Sequence, residues 1–368
     1  MAAIRELTDL GQALWLDYIR RSFVTGGELR RWIDEGVRGV TANPTILEKA
    51  IDGSRDYDEQ LARLAREGKS PDEIYEALAL EDIGGAADLF RPAYDREGDG
   101  FVSLEVAPGL AHDTEGTIAS ARHLFSALNR PNVFIKVPAT PEGFPAIERL
   151  IGEGVNVNVT LIFSLAQYEA SAQAYLSGLE KRLSDGKDIS GVASVASFFV
   201  SRVDTAADKA LEKIGNTKLQ GTVAIANAKI AYARFGEIFS GPRWETLAAR
   251  GAKVQRPLWA STGTKNPQYR DTLYVEELIG PNTVNTVPPA TMEAFLDHGR
   301  ANPTVEAGLD EARARIDRLA DLGISLDQIT EQLTIEGVDL FAKSFETLMA
   351  SITEKSRRLR EPSRSLSS

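Results

Sequence analysis

Short apolar segments alternate along this chain with longer stretches in which apolar residues recur at helical spacing. This alternation is typical of a parallel β-sheet covered by α-helices. Eight apolar segments can be counted, at residues 14–18, 37–42, 101–106, 133–137, 155–160, 192–199, 257–261 and 284–287. Because eight parallel strands close a (β/α)₈ barrel, we predict an α/β fold of the TIM-barrel type with additional helices. A doubly wound open sheet is the alternative fold.

Two long interruptions of the alternation predict helices outside the regular barrel. Residues 45–100 and 203–250 both carry helical patterns, and Ser70-Pro71-Asp72-Glu73 has the features of a helix N-terminus. Residues 304–360 predict two or more amphipathic helices after the eighth strand. None of these regions has the character of a separate domain, so we predict a single domain over residues 1–360. The polar, serine-rich tail at 361–368 is expected to be disordered.

Composition narrows the chemistry that the chain can perform. The 368 residues include 42 basic and 53 acidic side chains, a net charge of -11, which argues against a nucleic-acid partner. The chain has no cysteine and three scattered histidines, which excludes thiolate chemistry and argues against a metal centre built on histidine. We therefore expect lysine, carboxylate and hydroxyl chemistry with no metal and no cofactor.

The sequence also carries expectations about location. Residues 1–10 lack the apolar core of a signal peptide, and the sequence contains no run of about 18 apolar residues. We therefore expect a cytoplasmic protein with no membrane partner.

Lys136 stands out because it lies inside an apolar run. Residues 133–138 read Val-Phe-Ile-Lys-Val-Pro, the profile of a buried strand. A buried ammonium must be paired or lose its proton, and an uncharged lysine is a good nucleophile toward a carbonyl group. Lys136 is therefore a candidate Schiff-base residue. The alternative is a lysine at the end of the strand whose head group reaches solvent.

Polar residues also mark the ends or one face of the other predicted strands. Asn156, Asn158 and Thr160 share one face of the segment 155–160, and valines occupy the other face. Single polar residues at other strand ends are Asp17, Asn43, Glu105, Ser197 and Ser261. One polar group per strand end suits the active site of a (β/α)₈ barrel. The alternative for each is a turn or a helix cap.

Taken together, these strand ends resemble the transaldolase family. The matching segments, in family order, are Leu16-Asp17, Thr41-Ala42-Asn43-Pro44-Thr45, Ser103-Leu104-Glu105-Val106, Ile135-Lys136-Val137-Pro138-Ala139-Thr140, Asn158-Val159-Thr160-Leu161-Ile162-Phe163-Ser164 and Ser197-Phe198-Phe199-Val200-Ser201-Arg202. Each motif is short, but all six fall on successive strands. The resemblance extends from Asp17 to about Pro289, and the remaining helices are most similar to those of the longer bacterial transaldolases.

The resemblance implies a transferase of the pentose phosphate pathway. It would move a dihydroxyacetone unit from sedoheptulose 7-phosphate or fructose 6-phosphate to erythrose 4-phosphate or glyceraldehyde 3-phosphate. By the same resemblance Lys136 would form the Schiff base, Asp17 would act as general base and acid, and Glu105 would shuttle protons through a water held by Thr160. The implied substrate-binding residues in the barrel are Asn43, Asn158, Ser197 and Phe199.

The substrate phosphate is expected to meet cations at the mouth of the barrel. Arg202 falls at the family's phosphate-binding arginine, and its fork suits bidentate phosphate contacts. A surface ion pair is the alternative for this arginine. After the seventh strand the chain reads Ser261-Thr262-Gly263-Thr264-Lys265, where many relatives have an arginine. Lys265 keeps the positive charge but loses the fork, so we rank it below Arg202 as a phosphate ligand.

Two other functions stay open at this point. Fructose 6-phosphate aldolases share the fold and the lysine but release free dihydroxyacetone, and they carry glutamine and tyrosine where this chain has Glu105 and Phe199. The sequence therefore favours transfer over cleavage. A catalytically silent barrel that binds sugar phosphates is the other alternative, although every position needed for chemistry is filled here. The expected partners are sugar phosphates, and the sequence leaves a homo-oligomer open.

Overall fold

A computed structural model describes residues 2–360 and contains eight strands. They are β1 (Gln12–Leu16), β2 (Gly39–Thr41), β3 (Phe101–Glu105), β4 (Val133–Pro138), β5 (Val157–Ile162), β6 (Ser194–Phe199), β7 (Arg256–Ala260) and β8 (Thr283–Val287). All pairings are parallel and follow chain order, and β8 pairs with β1. The predicted (β/α)₈ barrel is confirmed. The doubly wound open sheet is wrong, because the pairing of β8 with β1 closes the sheet.

Within residues 2–360, sixteen α-helices and one 3₁₀ turn (Pro108–Leu110) accompany the barrel. The helices are α1 (Ala2–Asp9), α2 (Arg21–Thr25), α3 (Glu28–Glu35), α4 (Pro44–Asp52), α5 (Asp58–Arg66), α6 (Pro71–Glu97), α7 (Thr114–Leu128), α8 (Gly143–Glu153), α9 (Leu165–Ser184), α10 (Ser201–Lys213), α11 (Val223–Ile238), α12 (Pro242–Ala248), α13 (Leu273–Glu276), α14 (Pro289–His298), α15 (Leu309–Asp321) and α16 (Leu326–Arg360). Across this described part of the chain, none of the helices combines the length and the apolar character that a membrane span requires.

The helical interruptions lie where the sequence predicts them. Helices α4, α5 and α6 fill the interval between β2 and β3, and α10, α11 and α12 fill the interval between β6 and β7. Helix α6 begins with a capping box: the Ser70 hydroxyl accepts from the Glu73 amide at 3.2 Å, and the Glu73 carboxylate accepts from the Ser70 amide at 2.8 Å. Helices α15 and α16 are the predicted C-terminal pair. The tail at 361–368, expected to be disordered, lies outside the described residues.

One predicted strand begins later than expected. The segment 155–160 was expected to start at Val155, but β5 starts at Val157. Asn156 precedes the strand and bonds to backbone at the N-terminal end of the barrel, donating to Pro131 O at 2.8 Å and accepting from the Ala193 amide at 2.9 Å. Asn156 therefore joins neighbouring strands together and does not share the polar end of the barrel with Asn158 and Thr160.

Aromatic rings fill the N-terminal half of the barrel interior. The rings of Phe101 and Phe134 stack with centroids 4.4 Å apart, and the Trp15 ring lies 6.1 Å from that of Phe134. Gly39 leaves room for this packing, since a Cβ there would lie 2.4 Å from the Trp15 ring. Side chains alternate along a strand, so residues two or four positions further on share this interior face. Those residues include Asp17, Glu105 and Lys136.

Helix α16 lies across the C-terminal end of the barrel. Near β5, Gln167 donates to the Thr334 hydroxyl at 3.1 Å, and near β2 the hydroxyls of Thr45 and Ser344 share a hydrogen bond of 2.8 Å. The helix also packs on α4, α5, α6 and α10. The 35-residue helix therefore spans from one side of the barrel opening to the other.

Candidate active site

Lys136 is buried inside the barrel, with 4% of its surface exposed. Its ammonium lies 3.3 Å from Glu105 Oε2 and donates to the Ala42 carbonyl oxygen at 3.2 Å. The head group therefore does not reach bulk solvent, and the sequence alternative of a lysine that reaches out to water is wrong. A buried ammonium held by a carboxylate satisfies the pairing that burial requires.

Glu105 is as enclosed as Lys136, with 6% of its surface exposed. Burial raises the pKa of Glu105, and the neighbouring positive charge of Lys136 partly opposes this rise. On strand β5, the hydroxyl of Thr160 is fully buried and has no hydrogen-bond partner among residues 2–360. A carboxyl group with a raised pKa and a free hydroxyl are together suited to proton exchange inside the barrel.

Asp17 follows directly after β1, where its amide donates to the Val287 carbonyl at 2.8 Å. The Thr41 hydroxyl donates to Asp17 Oδ1 at 2.8 Å and lies 3.2 Å from the Thr286 hydroxyl. Burial raises the pKa of Asp17, while the charge of Lys136 and the hydrogen bond from Thr41 act in the opposite direction. A carboxyl group whose pKa is raised holds a proton more readily than an ordinary aspartate, which suits it both to take and to return a proton.

Asn158 joins three strands through its side chain. Its amide nitrogen donates to the Ser103 hydroxyl at 3.1 Å on β3, and its oxygen accepts from the Ser197 hydroxyl at 2.7 Å on β6. All three residues are buried. These bonds fix the Asn158 amide and leave one of its N–H groups for a ligand. Asn43 is fixed differently, because its oxygen caps α4 by accepting from the Ile46 amide at 2.9 Å.

A cleft of about 440 Å³ opens at the C-terminal end of the barrel. Of the sequence-predicted residues, its lining includes Asp17, Asn43, Arg202, Ser261 and Lys265. The remaining predicted residues are buried on β3 to β6 and do not line the cleft: Glu105, Lys136, Asn158, Thr160, Ser197 and Phe199. A cavity of about 530 Å³ among α9, α11, α15 and α16 is larger but contains none of the candidate residues. The chemistry of the lining residues, and not the volume of the cavity, therefore identifies the cleft as the candidate active site.

Cations dominate the charge of the cleft. Arg202 is half-buried, with its guanidinium carbon 5.4 Å from the Phe199 ring centroid and 5.8 Å from that of Phe341. Lys265 is exposed, and its ammonium has no hydrogen bond or ion pair within residues 2–360. Burial lowers the pKa of Arg202, an effect that the carboxylates of Asp17 and Glu105 oppose. The alternative of a surface ion pair for Arg202 is wrong, because the described residues provide it no partner of that kind.

Ser261 adopts an uncommon backbone conformation at the edge of the cleft. Its φ is 56°, in the left-handed region, and its hydroxyl shares a 2.9 Å hydrogen bond with that of Ser201. The Ser201 amide also donates to the Ser261 carbonyl at 3.0 Å. These bonds tie the start of α10, which carries Arg202, to the loop that carries Lys265.

The structure adds cleft residues that sequence reasoning missed. Lys49 lines the cleft from α4, and its side chain has no ion pair within the described range. Helical spacing shows that Lys49 shares a face of α4 with Thr45, but it does not show that this face meets the cleft. Arg20 also lines the cleft, but its guanidinium binds Asp56 at 2.7 Å. Thr41, the hydrogen-bond donor to Asp17, carried no separate signal in the sequence.

Comparisons with known proteins agree with this geometry. The family described as transaldolase/fructose-6-phosphate aldolase matches residues 14–352. A protein named transaldolase from Parafrankia sp. is 51% identical over 96% of this chain and 97% of its own length. Transaldolases of Saccharopolyspora erythraea and Trichodesmium erythraeum are 50% and 46% identical, each over 96% of this chain and 97% of their own. The closed eight-stranded barrel, the buried Lys136 and the likeness over nearly the full length agree with one another. The chain belongs to the transaldolase/fructose-6-phosphate aldolase family.

Proposed function

We propose that this protein is a transaldolase, a transferase that moves a dihydroxyacetone unit between sugar phosphates through a Schiff base on Lys136. The donors would be sedoheptulose 7-phosphate or fructose 6-phosphate, and the acceptors erythrose 4-phosphate or glyceraldehyde 3-phosphate. The observation that carries the proposal is the buried pair of Lys136 and Glu105, 3.3 Å apart, at the polar end of the barrel. The near full-length likeness to proteins named transaldolase supports it.

The first step is attack of the Lys136 amine on the ketone carbon of the donor. The ammonium must first lose a proton, and Glu105 is the nearest carboxylate to receive it. The resulting carbinolamine loses water to form an iminium. Glu105 and a water bonded to the Thr160 hydroxyl would move the protons of this step, which suits a hydroxyl that has no other partner in the described residues. The positively charged iminium then stands where the ammonium stood, beside the same carboxylate.

Cleavage follows from the electron demand of the iminium. Asp17 takes the proton of the C4 hydroxyl, the C3–C4 bond breaks, and its electron pair moves toward the iminium nitrogen to give an enamine. The aldose phosphate leaves. An acceptor aldehyde then takes its place, the enamine attacks its carbonyl carbon, and Asp17 returns the proton to the new hydroxyl. The Thr41 hydroxyl, 2.8 Å from Asp17 Oδ1, orients the carboxylate for both directions.

The enzyme must hold the three-carbon unit until the acceptor arrives. The free N–H groups of Asn43 and Asn158 and the hydroxyl of Ser197 would bond its oxygens, because all three are fixed by other contacts. Phe199 gives that region an apolar wall beside Phe163, with ring centroids 5.1 Å apart. Held in this way, the enamine is kept from release as free dihydroxyacetone.

The phosphate of donor or acceptor would bind at the cleft cations. Arg202 has the fork geometry and a partly buried position, which strengthen a charge-assisted hydrogen bond. Lys265 and Ser261 line the cleft beside it, from the loop that follows the neighbouring strand β7. Because such phosphorylated sugars are made and consumed inside cells, we also propose a cytoplasmic location.

Trapping the Schiff base tests the proposal. The protein is incubated with fructose 6-phosphate and borohydride, which reduces an iminium to a stable secondary amine, and is then analysed by intact mass and peptide mapping. We expect one adduct of dihydroxyacetone size on the peptide that contains Lys136. The absence of an adduct, under conditions that label a known Schiff-base aldolase, would favour the silent barrel.

Acceptor dependence separates transfer from simple cleavage. With fructose 6-phosphate alone, a transaldolase should release little free dihydroxyacetone, whereas a fructose 6-phosphate aldolase releases it at every turnover. Adding erythrose 4-phosphate should raise consumption of the donor sharply. Release of free dihydroxyacetone at the same rate with and without acceptor would assign the lyase function instead.

A further inference from the structure

Helix α16 contributes to the cleft as well as to the outer surface of the fold. Leu340 and Phe341 line the cleft from this helix, together with Arg202 and Lys265 from the barrel loops. Gly337, one turn earlier, allows the helix to approach the barrel, since a Cβ there would lie 3.0 Å from Leu161 Cδ2. The same Cβ would lie 3.7 Å from Arg202 Nη1. One face of α16 is therefore packed directly against the guanidinium of Arg202.

The contacts of Arg202 with aromatic rings fix the guanidinium without using its N–H groups. Phe199 at the end of β6 and Phe341 on α16 each place a ring within 6 Å of the guanidinium carbon, at 5.4 and 5.8 Å. Phe341 is buried, with 3% of its surface exposed. The face of an aromatic ring attracts a cation electrostatically, and it does not accept the strong hydrogen bonds that a carboxylate would.

A carboxylate in place of these rings would compete with the substrate. An arginine that is already ion-paired must exchange that partner for the incoming phosphate, whereas an arginine held by rings keeps its donors free. The guanidinium of Arg202 has no hydrogen bond or ion pair to any described residue, although the side chain is half-buried. The fork is therefore held in position before the phosphate binds, which reduces the ordering cost of binding.

We propose that Phe341 is a positioning residue that holds Arg202 for the substrate phosphate, so that the C-terminal helix α16 sets the preference for phosphorylated over unphosphorylated substrates. This inference rests on the proposed transaldolase function. Phe341 acts through Arg202 and does not itself contact the reacting carbon atoms.

The experiment compares Phe341→Leu with the wild type on two acceptors, glyceraldehyde 3-phosphate and unphosphorylated glyceraldehyde, at fixed fructose 6-phosphate. Loss of one cation–π contact should lower kcat/KM for the phosphorylated acceptor about five- to tenfold through KM. The kcat/KM for unphosphorylated glyceraldehyde should not change. Phe341→Tyr keeps the ring and should retain the wild-type preference.

Phe345→Leu is the matched control variant. Phe345 lies one turn further along α16, and its ring meets Tyr75 edge-on at 5.1 Å. The substitution is identical, the helix is the same, and the contact removed lies on α6. We expect Phe345→Leu to leave the acceptor preference unchanged. Should Phe341→Leu fail to fold, Phe341→Met provides an unbranched side chain of similar volume that also lacks the ring.

A second measurement does not depend on turnover. Titration calorimetry with inorganic phosphate should show a Kd about five- to tenfold higher for Phe341→Leu than for the wild type. An unchanged acceptor preference, or an equal loss on both acceptors, would overturn the role of Phe341. A wild-type protein that uses neither acceptor would instead contradict the proposed function, and the phosphate titration would still decide whether Phe341 holds Arg202.

Discussion

Glu105 and Lys136 are direct partners in the pairing of β3 with β4, and their charged ends meet at 3.3 Å. The register of two parallel strands therefore sets this ion pair, with no loop involved. Sites carried on strands hold their geometry more closely than sites on loops. In the proposed mechanism the Glu105 carboxylate faces a single positive charge both before the reaction, as the Lys136 ammonium, and during it, as the iminium. The proposed covalent intermediate would therefore carry the same charge beside Glu105 as the resting enzyme does.

Replacing Lys136 with methionine should reduce kcat by about 10⁴-fold or more, because methionine cannot form an iminium. Turnover is measured with fructose 6-phosphate and erythrose 4-phosphate, and folding is checked by circular dichroism. Lys229→Met is a matched control: Lys229 is also buried, lies 3.3 Å from Glu277 and donates to the Ala307 carbonyl at 3.2 Å. The Lys229→Met protein should be less stable than the wild type but should keep the wild-type kcat. Full activity in a folded Lys136→Met protein would disprove the Schiff-base assignment.

Asp17→Ala should still form the Schiff base but cleave the donor slowly, because in the proposed mechanism Asp17 acts after the iminium has formed. General acid–base groups contribute roughly 10²- to 10⁴-fold, and we expect a loss of kcat in that range. The measurement pairs steady-state turnover with the amount of borohydride-trapped adduct, which should stay near the wild-type level. Thr41→Val removes the 2.8 Å hydrogen bond to Asp17, together with the 3.2 Å contact to the Thr286 hydroxyl, but keeps the carboxylate, and it should give a smaller loss of kcat. Normal turnover in Asp17→Ala would remove this residue from the mechanism.

The cations of the cleft should differ in their effect on KM for fructose 6-phosphate. Arg202→Ala should raise KM about 10- to 100-fold, since charge-assisted hydrogen bonds from a partly buried guanidinium are strong. Lys265→Ala and Lys49→Ala should each raise KM only about two- to fivefold, because both side chains are exposed and screened by solvent. The lysine effects should shrink at high ionic strength. An effect of Lys265→Ala as large as that of Arg202→Ala would reverse our ranking of the two.

Most of the catalytic candidates could be predicted because a buried strand can be recognised from a few consecutive residues. Alternating valines show where β5 lies, and Lys136 stands out within an apolar run. The contributions that were missed depend on pairings between distant parts of the chain. The sequence of α16 shows an amphipathic helix, but it does not show that Phe341 packs on Arg202. Lys49 was missed for a related reason, since only the docking of α4 decides which of its faces meets the cleft.

Asp204 is a buried carboxyl group that the proposed mechanism does not use. It lies on α10, two residues after Arg202, with 1% of its surface exposed. The Ala224 amide donates to its Oδ1 at 2.6 Å, and the Tyr274 hydroxyl donates to its Oδ2 at 2.9 Å. Burial, the largest effect, raises the pKa of Asp204 from 3.8 to about 7. Asp204 therefore links the stability of α10, the helix that carries Arg202, to pH.

Stability rises or falls with pH according to whether the folded or the unfolded protein holds the proton on Asp204 more tightly. Between about pH 4 and pH 7 the folded protein keeps a proton on Asp204 that the unfolded chain has lost, so the free energy of unfolding falls as pH rises through this range. Asp204→Asn should remove this dependence. As pH rises, its free energy of unfolding should therefore gain on that of the wild type by up to a few kcal/mol, at about 1.4 kcal/mol per pKa unit. Urea unfolding of both proteins at pH 5 and pH 8 measures the difference. Asp88 provides a comparison of opposite sign, because its hydrogen bond to Arg130 lowers the pKa of this carboxyl group. Asp88→Asn should therefore lose the most stability, relative to the wild type, above about pH 4. Parallel pH profiles for Asp204→Asn and the wild type would show that Asp204 is charged in the folded protein.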